Sequence, residues 1–171
     1  MEGKKVRLRR KRMEDAVNDY AWRQDSELCL LDATYPFTSS FESFLRLYTD
    51  QQVYPLSSCQ FAIETLEGGH IGNCSFYSID NVLKEAEMGI MIGDKKYWNK
   101  GYGEDAVRTS LDYILTQTSL KRIYLKTLTW NTRAQRCFEK CGFTVYGTST
   151  QGEYIFILME MYRSDKTGFS R

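Results

Sequence analysis

Histidine is almost absent from this sequence: His70, in a Gly-Gly-His turn, is the one histidine among 171 residues. This scarcity excludes catalytic sites built on a Ser-His-Asp or Cys-His pair unless His70 is their base, and a turn position gives no support for that role. Metal-binding patterns are lacking as well, since Cys137 and Cys141 lie one helical turn apart but no Cys-x-x-Cys pair occurs. We therefore predict that the protein holds no metal.

An excess of charge of either sign is also lacking. The chain has 23 Lys and Arg residues against 22 Asp and Glu residues, a net charge of +1, which removes the simplest argument for a nucleic-acid partner. One basic cluster, KKVRLRRKR at Lys4–Arg12, could form an RNA-contacting arm. The alternation of Val6 and Leu8 with arginines instead favours an edge strand protected by charge. We predict no nucleic-acid partner.

Long apolar runs and proline-rich segments are missing too. No apolar run approaches the length of a membrane span, and the first residues are charged rather than signal-like. The five cysteines are odd in number and scattered, which is typical of free thiols in a reducing compartment. With 42% apolar residues and no repeat or linker, the chain is expected to form one domain over residues 1–171, in the cytoplasm and without a membrane partner.

Hydrophobic periodicity predicts a mixture of helices and strands. Strands are expected at Val6–Arg10, Cys59–Thr65, His70–Ile79, Glu87–Ile92, Arg122–Thr127, Phe143–Tyr146 and Tyr154–Tyr162. Helices are expected at Met13–Leu30, Phe41–Tyr48, Gly103–Leu115 and Thr132–Cys141, the second with Ser40 as N-cap and the last ended by Gly142. This order predicts an α/β (α+β) domain with a mixed, largely antiparallel sheet.

The segment YWNKGYGEDA, Tyr97 to Ala106, has two glycines that would let main-chain N–H groups close on a phosphate. A dinucleotide-binding turn does not match it, because eight residues separate the preceding strand from Gly101 and the next strand ends KTLTWN without a carboxylate. A nucleoside-triphosphate loop does not match either, because Glu104 follows Gly103 where Lys-Ser/Thr is required. A third design, Gly-x-Gly opening a helix after a strand and a short loop, does match.

That design resembles the acyl-coenzyme A site of the GNAT (Gcn5-related N-acetyltransferase) superfamily. EMGIMIGDKKYWNKGYGEDA is similar to the family's fourth strand and pyrophosphate loop, and NTRAQRCFEKCGF to its second signature, in which an asparagine begins a helix that finishes in Gly-Phe. VRLRRKRMEDA looks like its first strand and helix start. The Tyr-Trp before the loop resembles the branch that acetylates ribosomal-protein N-termini and its polyamine-acetylating relatives.

The resemblance implies the GNAT fold, a mixed and mostly antiparallel sheet of about six to seven strands flanked by about four helices. It also implies direct transfer of acetyl from acetyl-CoA, as co-substrate, to a primary amine, which is either a protein N-terminus or a small-molecule amine. A non-catalytic module that binds acyl-CoA is the alternative. A homodimer is left open.

The residues of the loop agree with the resemblance. Gly101 and Gly103 have no Cβ to block the inward-turned amides of Asn99 to Glu104, and the following helix points its positive end at the pyrophosphate. Lys100 can add a point charge, whereas Glu104 adds negative charge beside the phosphates. The predicted cofactor-binding residues are Met91, Ile92, Trp98, Asn99, Lys100, Gly101, Tyr102, Gly103, Glu104 and Asn131.

The resemblance further implies how the acyl arm lies and how the amine loses its proton. The pantetheine would pair with the fourth strand at the matching positions Met91 and Ile92, and the N–H group of one of these residues would stabilise the oxyanion. Glu87 stands where many relatives carry a glutamate that draws the proton through water, although a solvated carboxylate at a strand end explains it equally well. A lysine-type amine, with a pKa of about 10.4, needs such a base more than an α-amino group of about 8 does.

The sequence departs from the family pattern at the position of the general acid, and the resemblance does not identify the acceptor. Many relatives have a tyrosine where this chain has Phe138, so water, Cys137 or another tyrosine would have to protonate the leaving sulfur, unless the thiolate leaves unassisted. The family's acceptor surface matches residues 26–43 and 148–153. In that surface or directly beside it, acidic and aromatic side chains are candidates for holding a cationic amine: Asp25, Glu27, Asp32, Glu42, Tyr35 and Phe37. A peptide N-terminus, a polyamine and an amino sugar all stay open.

Overall fold

The computed structural model describes residues 1–53 and 59–163. Within these ranges the strands are β1 Val6–Arg10, β2 Cys59–Thr65, β3 His70–Asp80, β4 Glu85–Ile92, β5 Arg122–Leu128, β6 Thr144–Gln151 and β7 Tyr154–Tyr162. The helices are α1 Ala16–Gln24, α2 Ser26–Leu31, α3 Phe41–Val53, α4 Tyr102–Gln117 and α5 Thr132–Lys140, and short 3₁₀ turns lie at Met13–Asp15 and Lys95–Tyr97.

All seven strands form one sheet in the order β1-β2-β3-β4-β5-β7-β6. Every neighbouring pair is antiparallel except β4 and β5, which are parallel. The predicted α/β fold with a mixed, mostly antiparallel sheet is therefore confirmed. The strands found around the β2–β3 hairpin and at β1 also match the predicted segments closely.

The parallel pair β4 and β5 separates after a short contact. Glu85 to Glu87 pair with Arg122 to Tyr124, and no residue of β4 beyond Glu87 pairs with β5. On its other side β4 stays paired with β3 as far as Ile92. The second half of β4 thus has an open edge inside the sheet, which leaves main-chain groups free for a ligand.

The basic cluster at the start of the chain is part of the fold. β1 is an edge strand, as predicted, and among the strands of the described residues its neighbour is β2. Arg9 makes ion pairs with the buried Asp15 at 2.7 Å and with Glu64 at 3.0 Å. Lys11 donates to Asp19 at 2.5 Å. Cations held inside the protein in this way are not available to an external phosphate backbone.

The single helix predicted for Met13–Leu30 is wrong: the segment forms a 3₁₀ turn and two helices that meet at Asp25. Asp25 has extended backbone angles (φ −72°, ψ 115°), and its carboxylate accepts the N–H groups of Glu27 and Leu28 at 3.0 Å. Aspartate is a strong N-cap, so it begins α2 as α1 ends. The predicted Ser40 cap is present, since its hydroxyl accepts the N–H of Ser43 at 3.3 Å.

Asp25→Ala should lower the free energy of unfolding by about 1 kcal/mol, because two N–H groups at the start of α2 lose their acceptor. Urea denaturation measures this change. Asp25 also holds Lys95, so Glu27→Ala, which removes only the second carboxylate on that lysine, is the matched control. An equal loss in both variants would attribute the effect to the ion pair and contradict the cap.

The core lies between the sheet and the helices. α4 packs on β1 and β4, and α5 packs on α4. Fully buried side chains include Ile63, Phe76, Leu125, Phe143 and Met159. None of the helices in the described ranges combines the length and the apolar character that crossing a membrane requires.

Candidate functional site

A cavity of about 440 Å³ opens where β4 separates from β5. Its walls are the end of β4, the loop from Tyr97 to Glu104, the start of α4 and one face of α5. Leu28, Leu31 and Asp32 close it from the side of α2. The cavity therefore brings together the two sequence motifs and the open strand edge.

The glycine-rich loop has the backbone of an anion-binding turn. Asn99 (φ 57°) and Gly101 (φ 83°) both adopt the left-handed conformation, which glycine reaches without a steric cost. Gly101 is also the N-cap of α4, and its carbonyl accepts the N–H of Asp105 at 3.0 Å. Turns of this kind direct successive N–H groups into one concavity, next to the positive end of a helix.

Eight of the ten predicted cofactor-binding residues line this cavity: Met91, Ile92, Trp98, Asn99, Gly101, Gly103, Glu104 and Asn131. Lys100 and Tyr102 do not. The Lys100 carbonyl is turned to the ammonium group of Lys5 at 2.7 Å, and the Tyr102 ring packs edge-on against Tyr97 at 4.8 Å between centroids. The Lys100 side chain is exposed, and the Tyr102 ring packs with Tyr97 against the core.

The negative charge of Glu104 is less of an obstacle than the sequence suggests. Its carboxylate pairs with Arg108 one helical turn later, at 3.0 Å. A paired carboxylate at the first turn of α4 repels a neighbouring phosphate less than a free one does.

Trp98 connects the loop to both walls of the cavity. Its indole N–H donates to the Ile92 carbonyl at 2.7 Å. The Arg133 guanidinium lies 3.6 Å from the centre of the Trp98 ring, so a cation–π contact joins the loop to α5.

The open edge of β4 exposes alternate residues. The N–H of Gly93 donates to Ile71 on β3 at 2.9 Å, whereas the Ile92 carbonyl faces away from β3 and accepts from Trp98. Because main-chain groups alternate in direction along a strand, those of Ile90 also face the open side and those of Met91 face β3. Of the two predicted oxyanion donors, Ile92 is the one whose main chain is turned outward.

Sequence reasoning missed three cations on α5. Arg133, Arg136 and Lys140 all line the cavity. Their spacing of three and four residues places them on one face of the helix. This spacing, together with the predicted helix, could have identified them as a cationic face. Asn131 begins the same helix, where its side chain accepts the N–H of Ala134 at 3.3 Å and also lines the cavity.

A second cavity of about 310 Å³ adjoins the first along β4. The two share four lining residues: Leu28, Asp32, Ile90 and Met91. Polar side chains from β3 form the floor of the second cavity, namely Asn73, Ser75 and Tyr77. A ligand in each cavity would therefore meet the other at the open edge of β4.

Glu87 reaches this second cavity through Tyr77. The two residues are partners across β3 and β4, and the Tyr77 hydroxyl donates to the Glu87 carboxylate at 3.1 Å. Burial and the charge of Glu87 raise the pKa of Tyr77, so the phenol stays protonated at neutral pH. Gly89 leaves room for the ring, because a Cβ there would lie 3.2 Å from it. Sequence reasoning missed Tyr77, although strand register could have paired it with Glu87.

Phe138 lies in the core and not in either cavity. It is 7% exposed and contacts Phe143 with 5.8 Å between ring centroids. Cys137 does line the larger cavity, where its sulfur lies beside Gly103. A hydrogen bond from the Cys141 thiol lowers the pKa of Cys137.

Of the four acidic side chains proposed for the acceptor surface, one lines the cavities. Asp25 and Glu27 both bind Lys95, and Glu42 pairs with an exposed arginine one helical turn away. Asp32 lies at the junction of both cavities. No group of three or more His, Cys, Asp or Glu side chains in residues 1–53 and 59–163 is arranged to hold a metal ion.

Comparison with known proteins gives one family. The model of the acetyltransferase (GNAT) domain matches residues 5–144. Spermidine N(1)-acetyltransferase of Vibrio cholerae serotype O1 is 28% identical over 116 residues, which are 67% of this chain and 66% of that protein. The match thus spans slightly less than two thirds of that relative's length.

Solved structures show the same fold. The spermidine N-acetyltransferase from Vibrio cholerae in complex with CoA and spermine superposes with a TM-score of 0.82 at 22% identity, over 93% of this chain and 96% of that one. The aminoglycoside acetyltransferase AAC(6')-Ib in complex with coenzyme A and kanamycin gives 0.77 at 21% identity, over 92% and 95%.

Proposed function

The chain belongs to the acetyltransferase (GNAT) domain family, and on that premise we propose that it transfers an acetyl group from acetyl-CoA directly to a primary amine. The observation that carries this proposal is the meeting of two cavities at the open edge of β4. One cavity has the charge and backbone shape for a diphosphate, and the other has polar walls suited to an amine. An acyl donor and an acceptor can therefore approach each other there.

Acetyl-CoA occupies the larger cavity and supplies the acetyl group as a reactive thioester. The left-handed turn at Asn99 and Gly101 supports this assignment, because it gives inward N–H groups next to the start of α4. The face of α5 with Arg133, Arg136 and Lys140 adds positive charge opposite the loop. Coenzyme A carries several negative charges, so a cavity with an excess of cations fits it.

The acceptor enters the second cavity, and we propose a small amine with more than one positive charge. Asp32 supports this, since it is the acidic residue that lines both cavities. The relatives agree in chemistry: a Vibrio cholerae relative is a spermidine N(1)-acetyltransferase, and the similar solved structures hold spermine or kanamycin.

Tyr77 and Glu87 accept the proton that the amine must lose. Tyr77 lines the acceptor cavity and already donates to Glu87, so the amine proton passes to the phenol oxygen as the phenol proton passes to the carboxylate. The C–N bond forms first and gives an oxyanion at the carbonyl carbon, and the C–S bond breaks as this adduct collapses. The leaving thiolate takes a proton from water, because Phe138 has none to give, and Glu87 returns its proton to the hydroxide that remains.

The proposal extends to the protein's setting. One continuous sheet and a family match over most of the chain support a single domain over residues 1–171. Five free cysteines support a reducing compartment such as the cytoplasm. Internal pairing of Arg9 and Lys11 supports the absence of a nucleic-acid partner, and we propose no membrane partner.

A homodimer would form at the β6 edge, where Val145 and Tyr146 are exposed.

An acceptor screen with free-thiol detection tests the proposed activity. Acetyl-CoA is mixed in turn with spermidine, an amino sugar and a peptide with a free N-terminus. We expect thiol release with the polyamine or the amino sugar. Phe138 favours one competing function, a non-catalytic acyl-CoA-binding module. Tight CoA binding without thiol release from any amine would establish that alternative.

Asp32→Asn should raise the KM for a cationic amine about tenfold while kcat changes little, because the carboxylate binds the substrate charge and does not take part in the transfer. Steady-state kinetics with the amine found in the screen measures both constants. Glu42→Gln is the control, since Glu42 is paired outside both cavities. An unchanged KM in Asp32→Asn would contradict the assignment.

A further inference from the structure

The first residues of the chain are fastened to the start of α4. The consecutive N–H groups of Lys4, Lys5 and Val6 donate to the Asp105 carboxylate at 3.1, 2.7 and 3.0 Å. Asp105 lies in the first turn of α4, directly after the glycine-rich loop. A carboxylate that accepts three N–H groups fixes the position of this segment relative to the helix.

A close approach at Gly3 strengthens the same contact. A Cβ at this position would collide with the Thr109 hydroxyl and with the Asp105 carboxylate. The segment from Gly3 to Val6 therefore lies close against α4, and a larger residue at position 3 would displace these two side chains. The backbone from which the Lys5 side chain extends is thus held in place.

From this position Lys5 reaches the loop itself. Its ammonium group donates to the Lys100 carbonyl at 2.7 Å and lies 5.5 Å from the centre of the Tyr102 ring. In a trans peptide the C=O of one residue and the N–H of the next point in opposite directions, and the described residues contain no cis peptide. The N–H of Gly101 consequently points away from Lys5. Gly101 lines the cavity, whereas Lys5 is not among the residues that line it.

We propose that Lys5 is a positioning residue for the phosphate-binding loop. It holds the Lys100 carbonyl outward and so keeps the Gly101 N–H directed at the diphosphate of acetyl-CoA. The Lys100–Gly101 peptide needs such a restraint, because a glycine with φ near 83° readily takes up other orientations. The inference rests on the proposed function, since it assumes that acetyl-CoA lies in the larger cavity.

The test compares Lys5→Met with Lys4→Met, which removes an equal charge from an exposed side chain next to it. Calorimetry measures the Kd of each variant for CoA and for pantetheine, which has no phosphate. We expect Lys5→Met to bind CoA about tenfold more weakly, the factor that corresponds to about 1.4 kcal/mol, and to bind pantetheine as the parent does. Lys4→Met should match the parent, and Lys5→Arg should restore binding because arginine also donates to a carbonyl.

Two results would overturn the proposal. An unchanged CoA affinity in Lys5→Met would show that the loop needs no restraint. Equal losses in Lys5→Met and Lys4→Met would show that only net charge matters. Melting curves identify any variant that has lost its fold. If Lys5→Met has lost its fold, the CoA affinity of Lys5→Arg is the remaining test, and a weakened affinity in that variant would also contradict the proposal. If the parent protein does not bind CoA, the proposed function itself fails, and that result is seen before any variant is made.

Discussion

Replacing Gly101 by glutamate lowers the affinity for acetyl-CoA by about a hundredfold or more, while the domain still folds. Gly101 lines the larger cavity and adopts a left-handed backbone at the N-cap of α4. A Cβ there would lie 3.5 Å from the Lys5 ammonium group, so the glutamate carboxylate draws Lys5 away from the Lys100 carbonyl, and the side chain disfavours the left-handed conformation that turns the N–H groups inward. Calorimetry with CoA, together with circular dichroism of the free protein, measures both parts of this expectation.

Gly68→Glu is the matched control. Gly68 also has a left-handed backbone (φ 96°), with open space where a Cβ would lie, but it belongs to the β2–β3 turn. A left-handed glutamate costs about 1–2 kcal/mol of stability at either position, so only the effect on binding should differ. Gly103→Glu should also abolish binding, although a Cβ alone fits at Gly103 with ordinary contacts of 3.7 Å. An unchanged affinity of Gly101→Glu for CoA would show that the glycine-rich loop does not bind the cofactor.

Tyr77→Phe and Glu87→Gln should each lower turnover by about a hundredfold or more near pH 7. Tyr77 is the proton donor to Glu87, and it alone of the two lines the acceptor cavity. An amine with a pKa of about 10.4 is neutral in only about one molecule of 2,500 near pH 7 but about one in 25 near pH 9. The loss should therefore shrink as the pH rises, because more amine arrives already deprotonated.

Glu85→Gln is the control for this pair. Glu85 lies on the same strand, but its carboxylate binds Arg122 at 2.7 Å and faces neither cavity. It should leave turnover and its pH profile unchanged. A Glu87→Gln loss of the same size near pH 7 and near pH 9 would exclude this carboxylate as the base. Full activity in Tyr77→Phe would leave Glu87 to act through water.

Much of the fold is predictable because each element has a local pattern of its own. The hairpin of β2 and β3 shows alternation around a Gly-Gly turn, and Gly142 marks the end of α5. The break at Asp25 is not predictable from periodicity, since the apolar positions continue across it while one backbone ψ angle changes. β6 runs to Gln151, beyond its predicted end, because its outer residues are polar and pair with β7 through the backbone.

The candidate site is predictable only in its local parts. The Gly-x-Gly turn lies within one short segment, so its residues can be read together. The orientation of the Lys100 carbonyl depends on a contact with Lys5, which is remote in the sequence. The role of Tyr77 likewise depends on strand register and on the separation of β4 from β5. These contacts between remote residues arise from tertiary packing, so they cannot be predicted from one short segment of the sequence.

The wall shared by the two cavities, which includes Ile90 and Met91, favours a ternary complex. Acetyl-CoA and the amine can be bound side by side, so the acetyl group can pass directly between them without a covalent acetyl-protein intermediate. No acyl-protein linkage is then required, and with it no histidine-activated nucleophile. The proposed transfer is therefore compatible with a chain whose one histidine is packed against Trp22.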